Sequence, residues 1–339
     1  SGNWKQHLGQ SDSNMVNAGT WALMLTGGVL NLDSGDSLTS WFGSLVKRTG
    51  EPVIRQALKS AMGFIGQQFV MGEDIRDAIK NAAKDEKRGY MMSYDILGEG
   101  ARTQKQASDY VDAYMAAIRE IGKDRTGELF DKPGISVKLS ALHPRYSYLQ
   151  RDTVFKELLP RLKNIVREAM VHGIAVSLDA EEANRLDLHL MLYHELLRDP
   201  EFANFEGIGF VLQAYQKRAF YAVDALVAMA KETGHRIPVR LVKGAYWDTE
   251  VKVAQMNGLS GYPVFTNKIY TDLSYLACAQ KMLAATDALY PQFATHNALT
   301  VATIIELSKA KKLPAAAFEF QKLHGMGDSL PRLCAGRRT

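Results

Sequence analysis

From residue 88 onward, short apolar runs recur at regular intervals, at 90–97, 135–142, 174–180, 208–214, 238–242, 292–296 and 317–323. Each has the length and composition of a buried strand. Between them the apolar residues fall three and four apart, as on one face of a helix. Phe155, Leu158, Leu159, Leu162, Ile165 and Val166 form one such stripe, and Val111, Tyr114, Met115, Ile118 and Ile121 another. Strands alternating with amphipathic helices predict parallel β/α units, seven of them. Residues 1–85 read differently, being strand-poor. Val53, Ile54, Ala57, Ala61 and Phe64 predict a helix over 51–70, and residues 31–40 a turn-rich linker, where Ser, Asp and Gly bond locally instead of forming helix. Three segments are expected: a helical arm at 1–85, a β/α barrel at 86–327, and a divergent or truncated tail at 328–339.

Two architectures use parallel β/α units. An open dinucleotide-binding sheet carries Gly-x-Gly-x-x-Gly after its first strand. Here that strand leads into Leu97-Gly98-Glu99-Gly100-Ala101-Arg102, which lacks the third glycine. Polar residues also end nearly every strand rather than gathering at one crevice. The expected fold is therefore an α/β, TIM-like (β/α)8 barrel behind a helical arm. At 339 residues the chain accommodates the roughly 250 of such a barrel.

Composition changes this picture little. Apolar residues make up 46% and charged residues 23%, as in ordinary globular proteins. Lys plus Arg exceed Asp plus Glu by 41 − 37 = 4, with no concentrated basic stripe, so no nucleic-acid contact is expected through this segment. Cys278 and Cys334 form neither a CxxC motif nor a disulfide framework, which fits a reducing compartment. No run approaches the ~18 apolar residues of a spanning helix. The apolar stretch at 21–30 is short, interrupted by Gly and not preceded by a basic region, which argues against a signal peptide.

In a β/α barrel the C-terminal strand ends converge on one site. The first strand ends in Asp95, with Glu99 just beyond. In the second, period two sends Ile135, Val137 and Leu139 outward and Ser136, Lys138 and Ser140 inward. The third turns Asp179 inward, the fourth brings Gln213, and the fifth ends in Arg240-Leu241-Val242-Lys243-Gly244-Ala245-Tyr246-Trp247. The sixth supplies Thr295-His296-Asn297 and the seventh Glu319, Gln321 and His324. Each also has a plain structural reading: Glu99 and Glu319 as ion-pair partners, His143 and His324 as caps, Trp247 as packing. The coincidence is what counts, because seven successive strand ends carry groups that are costly to bury unpaired. No His-x-His pair or similar ligand set suggests a metal. A desolvated strand-end Lys138 suits a Schiff-base lyase or aldolase. The surplus of cations, Lys138, Arg240, Lys243 and Lys268, suits a large anionic aromatic ligand with phosphates better. A non-enzymatic docking module is a third reading.

Several long segments match a known family. GISVKLSALHPRYS at 134–147, LDAEE at 178–182, IGFVLQAYQKR at 208–218, VRLVKGAYWD at 239–248, GYPVFTNKIYTD at 261–272, YPQFATHNA at 290–298 and FEFQKLHGMG at 318–327 resemble the proline dehydrogenase domain of the bifunctional flavoproteins called proline utilization A. The resemblance spans roughly residues 15 to 327. It implies a barrel that holds FAD without a Rossmann motif and oxidises L-proline to pyrroline-5-carboxylate, with hydride passing from C5 to the flavin and then electrons to a membrane quinone. It also implies a cytoplasmic, peripherally membrane-associated parent protein with a pyrroline-5-carboxylate dehydrogenase module.

Carried over position by position, the resemblance gives Gln213, Arg240, Val242, Lys243, Trp247, Thr266, Lys268 and His296 to the flavin. It gives Lys138, Asp179, Ala245, Tyr246 and Leu323 to proline, with Lys138, Asp179, Arg240 and Tyr246 as the catalytic set. Glu99 would pair with an arginine of the family's final helix. That helix, with its paired arginines for the substrate carboxylate, follows the His-Gly-Met-Gly segment. Here residues 328–339 leave no room for an eighth strand and helix, and Arg337-Arg338 match the pair only superficially. The expectation is weak or absent proline oxidation by this chain alone. Turnover equal to that of a version extended at its C-terminus would overturn it.

Overall fold

The computed structural model describes residues 69–123 and 127–326, all within one compact unit that begins at Gln67. Most of the helix expected over 51–70 and all of the tail at 328–339 lie outside the described residues. Seven strands are described: β1 (Ser93–Asp95), β2 (Gly134–Val137), β3 (Val176–Leu178), β4 (Ile208–Gln213), β5 (Ile237–Val242), β6 (Leu289–Ala294) and β7 (Glu319–Gln321). They pair in parallel in the order β1-β2-β3-β4-β5-β6-β7, so each neighbours its successor in sequence. A doubly wound sheet reverses its strand order at a switch point; this one does not. Curvature follows from side-chain reach, because Arg240 on β5 bonds both Ser93 on β1 and Gln321 on β7.

The helices are α1 (Ile75–Glu86), α2 (Gln104–Gly122), α3 (Leu139–Leu142), α4 (Arg151–His172), α5 (Leu186–Leu197), α6 (Ala219–Thr233), α7 (Trp247–Met256), α8 (Lys268–Leu283) and α9 (Ala298–Ala310). Their starts follow from capping side chains that accept from free N–H groups of the first turn. Asp74 caps α1, Thr103 caps α2, Asn267 caps α8 and Asn297 caps α9. Gly173, left-handed at φ 61°, ends α4. The predicted stripe on α4 is buried at Leu158, Leu159, Leu162, Ile165 and Val166, and that on α2 at Tyr114, Ile118 and Ile121.

The strands sort their residues by the pleat. Ile135, Val137, Val176, Leu178, Phe210, Leu212, Val239, Leu241, Phe293 and Phe320 join the apolar core. The alternate residues Ser93, Ser136, Ser177, Val211, Gln213, Arg240, Val242, Gln292, Glu319 and Gln321 line a cavity instead. One expectation needs correcting. Ser140 does not continue the inward row of β2, because pairing with β3 stops at Val137↔Leu178 and the chain turns into α3. Ser140 is buried at the rim, where its hydroxyl accepts from Gly100 N–H and its own N–H donates to Glu181. The apolar 139–142 stretch extended the strand on paper because a short apolar run has no period that separates strand from helix. Likewise β6 starts at Leu289, earlier than expected, and Thr295 and His296 lie beyond its end.

Candidate active site

A cavity of about 1890 Å³ runs along the strand interior and out past the C-terminal ends, larger than the roughly 300–1,000 Å³ usual for a small-molecule site. Arg240 sits at its centre. Its five N–H donors are spread over several strands. Nε donates to Gln321 Oε1 at 2.7 Å, and Nη1 to Ser136 at 2.9 Å and Asp179 at 3.2 Å. Nη2 donates to Ser93 at 3.0 Å and Ser177 at 3.3 Å. Three serines on three adjacent strands thus accept from one guanidinium. Next to it, half-buried Glu319 accepts from Gln292 at 2.9 Å, Gln321 at 2.7 Å and Tyr290 at 3.1 Å. Burial pushes the Glu319 carboxyl above its ordinary range, and these hydrogen bonds and Arg240 only partly offset that.

Beside Arg240, Lys138 Nζ reaches both oxygens of Asp95 at 2.7 Å and Asp179 at 3.2 Å. Burial alone would lower the lysine pKa, but Asp179 and Asp95 together hold it above the usual lysine range. The ammonium is thereby fixed in its charged form.

A second cationic wall lies where β5 and β6 end. Asp272 accepts from Lys243 and from Lys268, the latter at 2.6 Å. Burial works to raise the Asp272 carboxyl, yet these two lysines pull it below the usual range. His296 Nε2 accepts from Leu323 N–H at 2.9 Å, and burial lowers its pKa, so it favours the neutral ring. Buried Gln213 ties two loops together, donating to the Glu181 carbonyl at 2.7 Å and accepting from Ala245 N–H at 3.0 Å. Tyr246 donates to Glu99 at 3.0 Å, the position where the family resemblance implies an arginine partner. Burial and Glu99 both raise the Tyr246 hydroxyl pKa, which keeps it a donor.

Between these walls the backbone passes Gly244 at φ +151°, and a Cβ there would clash with the Tyr215 ring, 2.3 Å from its nearest atom. Gly244→Ala is expected to cost about 1–3 kcal/mol in stability, since neither the ring nor the φ value accommodates a methyl group. A urea melt against the unsubstituted chain checks this.

The cavity lining brings together Lys138, Asp179, Gln213, Arg240, Val242, Lys243, Ala245, Tyr246, Lys268, His296 and Leu323. It does not include Trp247 or Thr266. Trp247 donates its indole N–H to the Phe265 carbonyl at 3.0 Å, and Thr266 is exposed between α7 and α8. Sequence reasoning missed Ser93, Ser177 and Asp272. Period two counted back from Asp95 and Asp179 would have found the serines, and the four-residue step from Lys268 along α8 would have found Asp272.

Residues 78–337 match the family model described as proline dehydrogenase. The chain belongs to the proline dehydrogenase family. Residues 1–69 match a model described as the DNA-binding domain of proline dehydrogenase, in the stretch where composition had suggested no nucleic-acid contact. Bifunctional protein PutA of Klebsiella aerogenes is 49% identical over 338 residues, covering 99% of this chain and 26% of that protein. Its counterpart in Escherichia coli is 48% identical over the same shares. The solved structure of proline utilization A from Bdellovibrio bacteriovorus inactivated by N-propargylglycine superposes with a TM-score of 0.80 at 32% identity. It covers 84% of this chain and 31% of that one. The chain spans about a quarter of the length of the curated relatives it matches.

Proposed function

We propose that this chain carries the site at which its protein oxidises L-proline to pyrroline-5-carboxylate, with FAD as cofactor and a membrane quinone as final electron acceptor. The observation that carries the reading is the meeting, in one cavity, of two differently charged walls around Arg240. One wall, Lys138 with Asp95 and Asp179, matches a small zwitterion. The other, Lys243 and Lys268 with His296, matches an extended anionic ligand.

The donor set fits a flavin dinucleotide. Lys243 and Lys268 would hold its phosphates, His296 the adjoining chain, and Val242 and Gln213 the ring. When bound, the flavin supplies the acceptor for the hydride leaving proline C5. Arg240 supplies a fixed positive charge where negative charge develops on the ring, with no reorganisation needed because its five hydrogen bonds already aim it. Lys138 binds the substrate carboxylate as a charge-assisted donor. Tyr246 and Leu323 pack against the pyrrolidine ring and exclude water from it.

The lyase reading fares worse. A Schiff-base lysine must lose its proton before it attacks a carbonyl, whereas Lys138 is clamped between two carboxylates that keep it charged. Peripheral association with a membrane and a pyrroline-5-carboxylate dehydrogenase module elsewhere in the protein belong to the same proposal. They rest on the family resemblance and on relatives described as bifunctional. The purified protein is expected to carry flavin absorbance that bleaches when L-proline is added without oxygen. A colourless protein that takes up no added FAD would sink the reading.

A further inference from the structure

Two carboxylates flank Lys138, and their surroundings differ. Asp179 is bound from both sides, by Arg240 Nη1 and by Lys138 Nζ, each at 3.2 Å. The Asp95 carboxylate is hydrogen-bonded to Lys138 alone among the described residues. Its side chain is 40% exposed, against 15% for Asp179, and it lines the cavity. A carboxylate offers about four acceptor sites, so Asp95 keeps lone pairs free on the cavity side. Of the two, it is the one with room for a cationic ligand.

We propose that Asp95 receives the secondary ammonium of the bound substrate and takes its proton, an inference that rests on the proline-oxidising reading above. A protonated proline nitrogen has no lone pair with which to expel hydride from C5. Proton transfer to Asp95 leaves the N–H bonding pair on nitrogen. That pair becomes the second C5–N bond as the C5–H bond breaks, and the C5–H electrons leave as hydride to the flavin oxidant. The product departs as the protonated cyclic imine, and the proton on Asp95 returns to water. Lys138 cannot take this part, because it already holds its proton under two carboxylates.

The charged and titratable groups facing Asp95 are Lys138 just past β2, Asp179 just past β3, Arg240 from β5 and Tyr114 from α2. Burial, then Asp179, raises the Asp95 carboxyl above its ordinary range, while Lys138 and Arg240 act in the opposite sense. The net direction favours a carboxylate that accepts a proton from an amine.

The test compares Asp95→Asn with the unsubstituted protein, both flavin-loaded and full-length, using two ligands. One is L-proline, and the other is its ring-oxygen analogue, which has the carboxylate but no ammonium. Asp95→Asn is expected to weaken proline binding by roughly tenfold or more, the scale of one charge-assisted hydrogen bond, and to weaken binding of the ring-oxygen analogue, which meets Asp95 only indirectly through Lys138, far less. Its kcat/KM profile should move to higher pH, since only proline already deprotonated in solution can then react. Asp95→Glu should restore both the discrimination and the profile in part. Equal weakening of both ligands, or an unmoved pH profile, would show that Asp95 only supports the fold of the site. If the unsubstituted chain binds neither ligand, the proline-oxidising reading falls first and takes this inference with it.

Discussion

Arg240→Met is expected to cut flavin-coupled proline oxidation by roughly 10²–10³-fold and to destabilise the chain by about 3–5 kcal/mol, the cost of removing one partner from a buried charge pair. The reasoning starts from the count of donors. Arg240 satisfies Gln321, Asp179 and the hydroxyls of Ser93, Ser136 and Ser177. Methionine fills the volume but returns none of these bonds, so four side chains on β1, β2, β3 and β7, and Asp179 just past β3, lose a donor at once. On activity, the loss of a preorganised charge near the reacting centre corresponds to roughly 10²–10³ in kcat. Arg240→Lys separates the two effects. It keeps the charge and loses the fork, so it should recover part of the stability and little of the activity. Urea melts and single-turnover flavin reduction on the three proteins read both. Wild-type rates in Arg240→Met would remove Arg240 from the chemistry.

Arg240 also shows what could be read in advance. It was placed at the site as part of a polar strand-end stretch, and period two in 239–242 would also have turned it inward, since Val239 and Leu241 join the apolar core. Its partners did not follow. Period two turns Ser136 inward, and counted back from Asp95 and Asp179 it does the same for Ser93 and Ser177, but that all three meet one guanidinium follows only from the curl of the sheet, which brings three strands under one side chain. The strand order was legible from the alternation of apolar runs with amphipathic stripes. The strand ends were less so: 139–142 was apolar enough for strand and became α3, because register with β3 stops at Leu178. Thr266 was named through the family resemblance alone and Trp247 also as the last residue of the fifth strand-end stretch, yet neither lines the cavity. Conversely Asp272, which joins Lys243 to Lys268, sits on a helix face where a charge four residues from a lysine reads as an ordinary surface pair.

Lys138→Met gives the second large effect, and its pH dependence has a definite sign. Asp95 and Asp179 would lose the cation between them, and Lys138 makes one hydrogen bond to each Asp95 oxygen and one to Asp179. With the substrate carboxylate also losing its donor, proline oxidation is expected to fall about 10²-fold or more, since each charge-assisted bond contributes roughly 1.5–3 kcal/mol. The Asp95 carboxyl already lies above its ordinary value through burial and Asp179, and Lys138 is the strongest influence lowering it. Removing Lys138 raises the folded-state value further, while the unfolded value stays near 3.9. Between those two values the folded chain binds more protons than the unfolded one, so stability falls as pH rises through the window. The stability gap between the original chain and Lys138→Met should therefore be widest near neutral pH and should narrow on acidification toward about pH 4. A gap that stays constant between about pH 7 and about pH 5 would mean the two carboxylates do not feel the ammonium. Borohydride added with a carbonyl ligand gives the complementary readout on the unsubstituted chain. A lysine held charged by two carboxylates should remain unmodified, and covalent capture on Lys138 would instead return the site to Schiff-base chemistry.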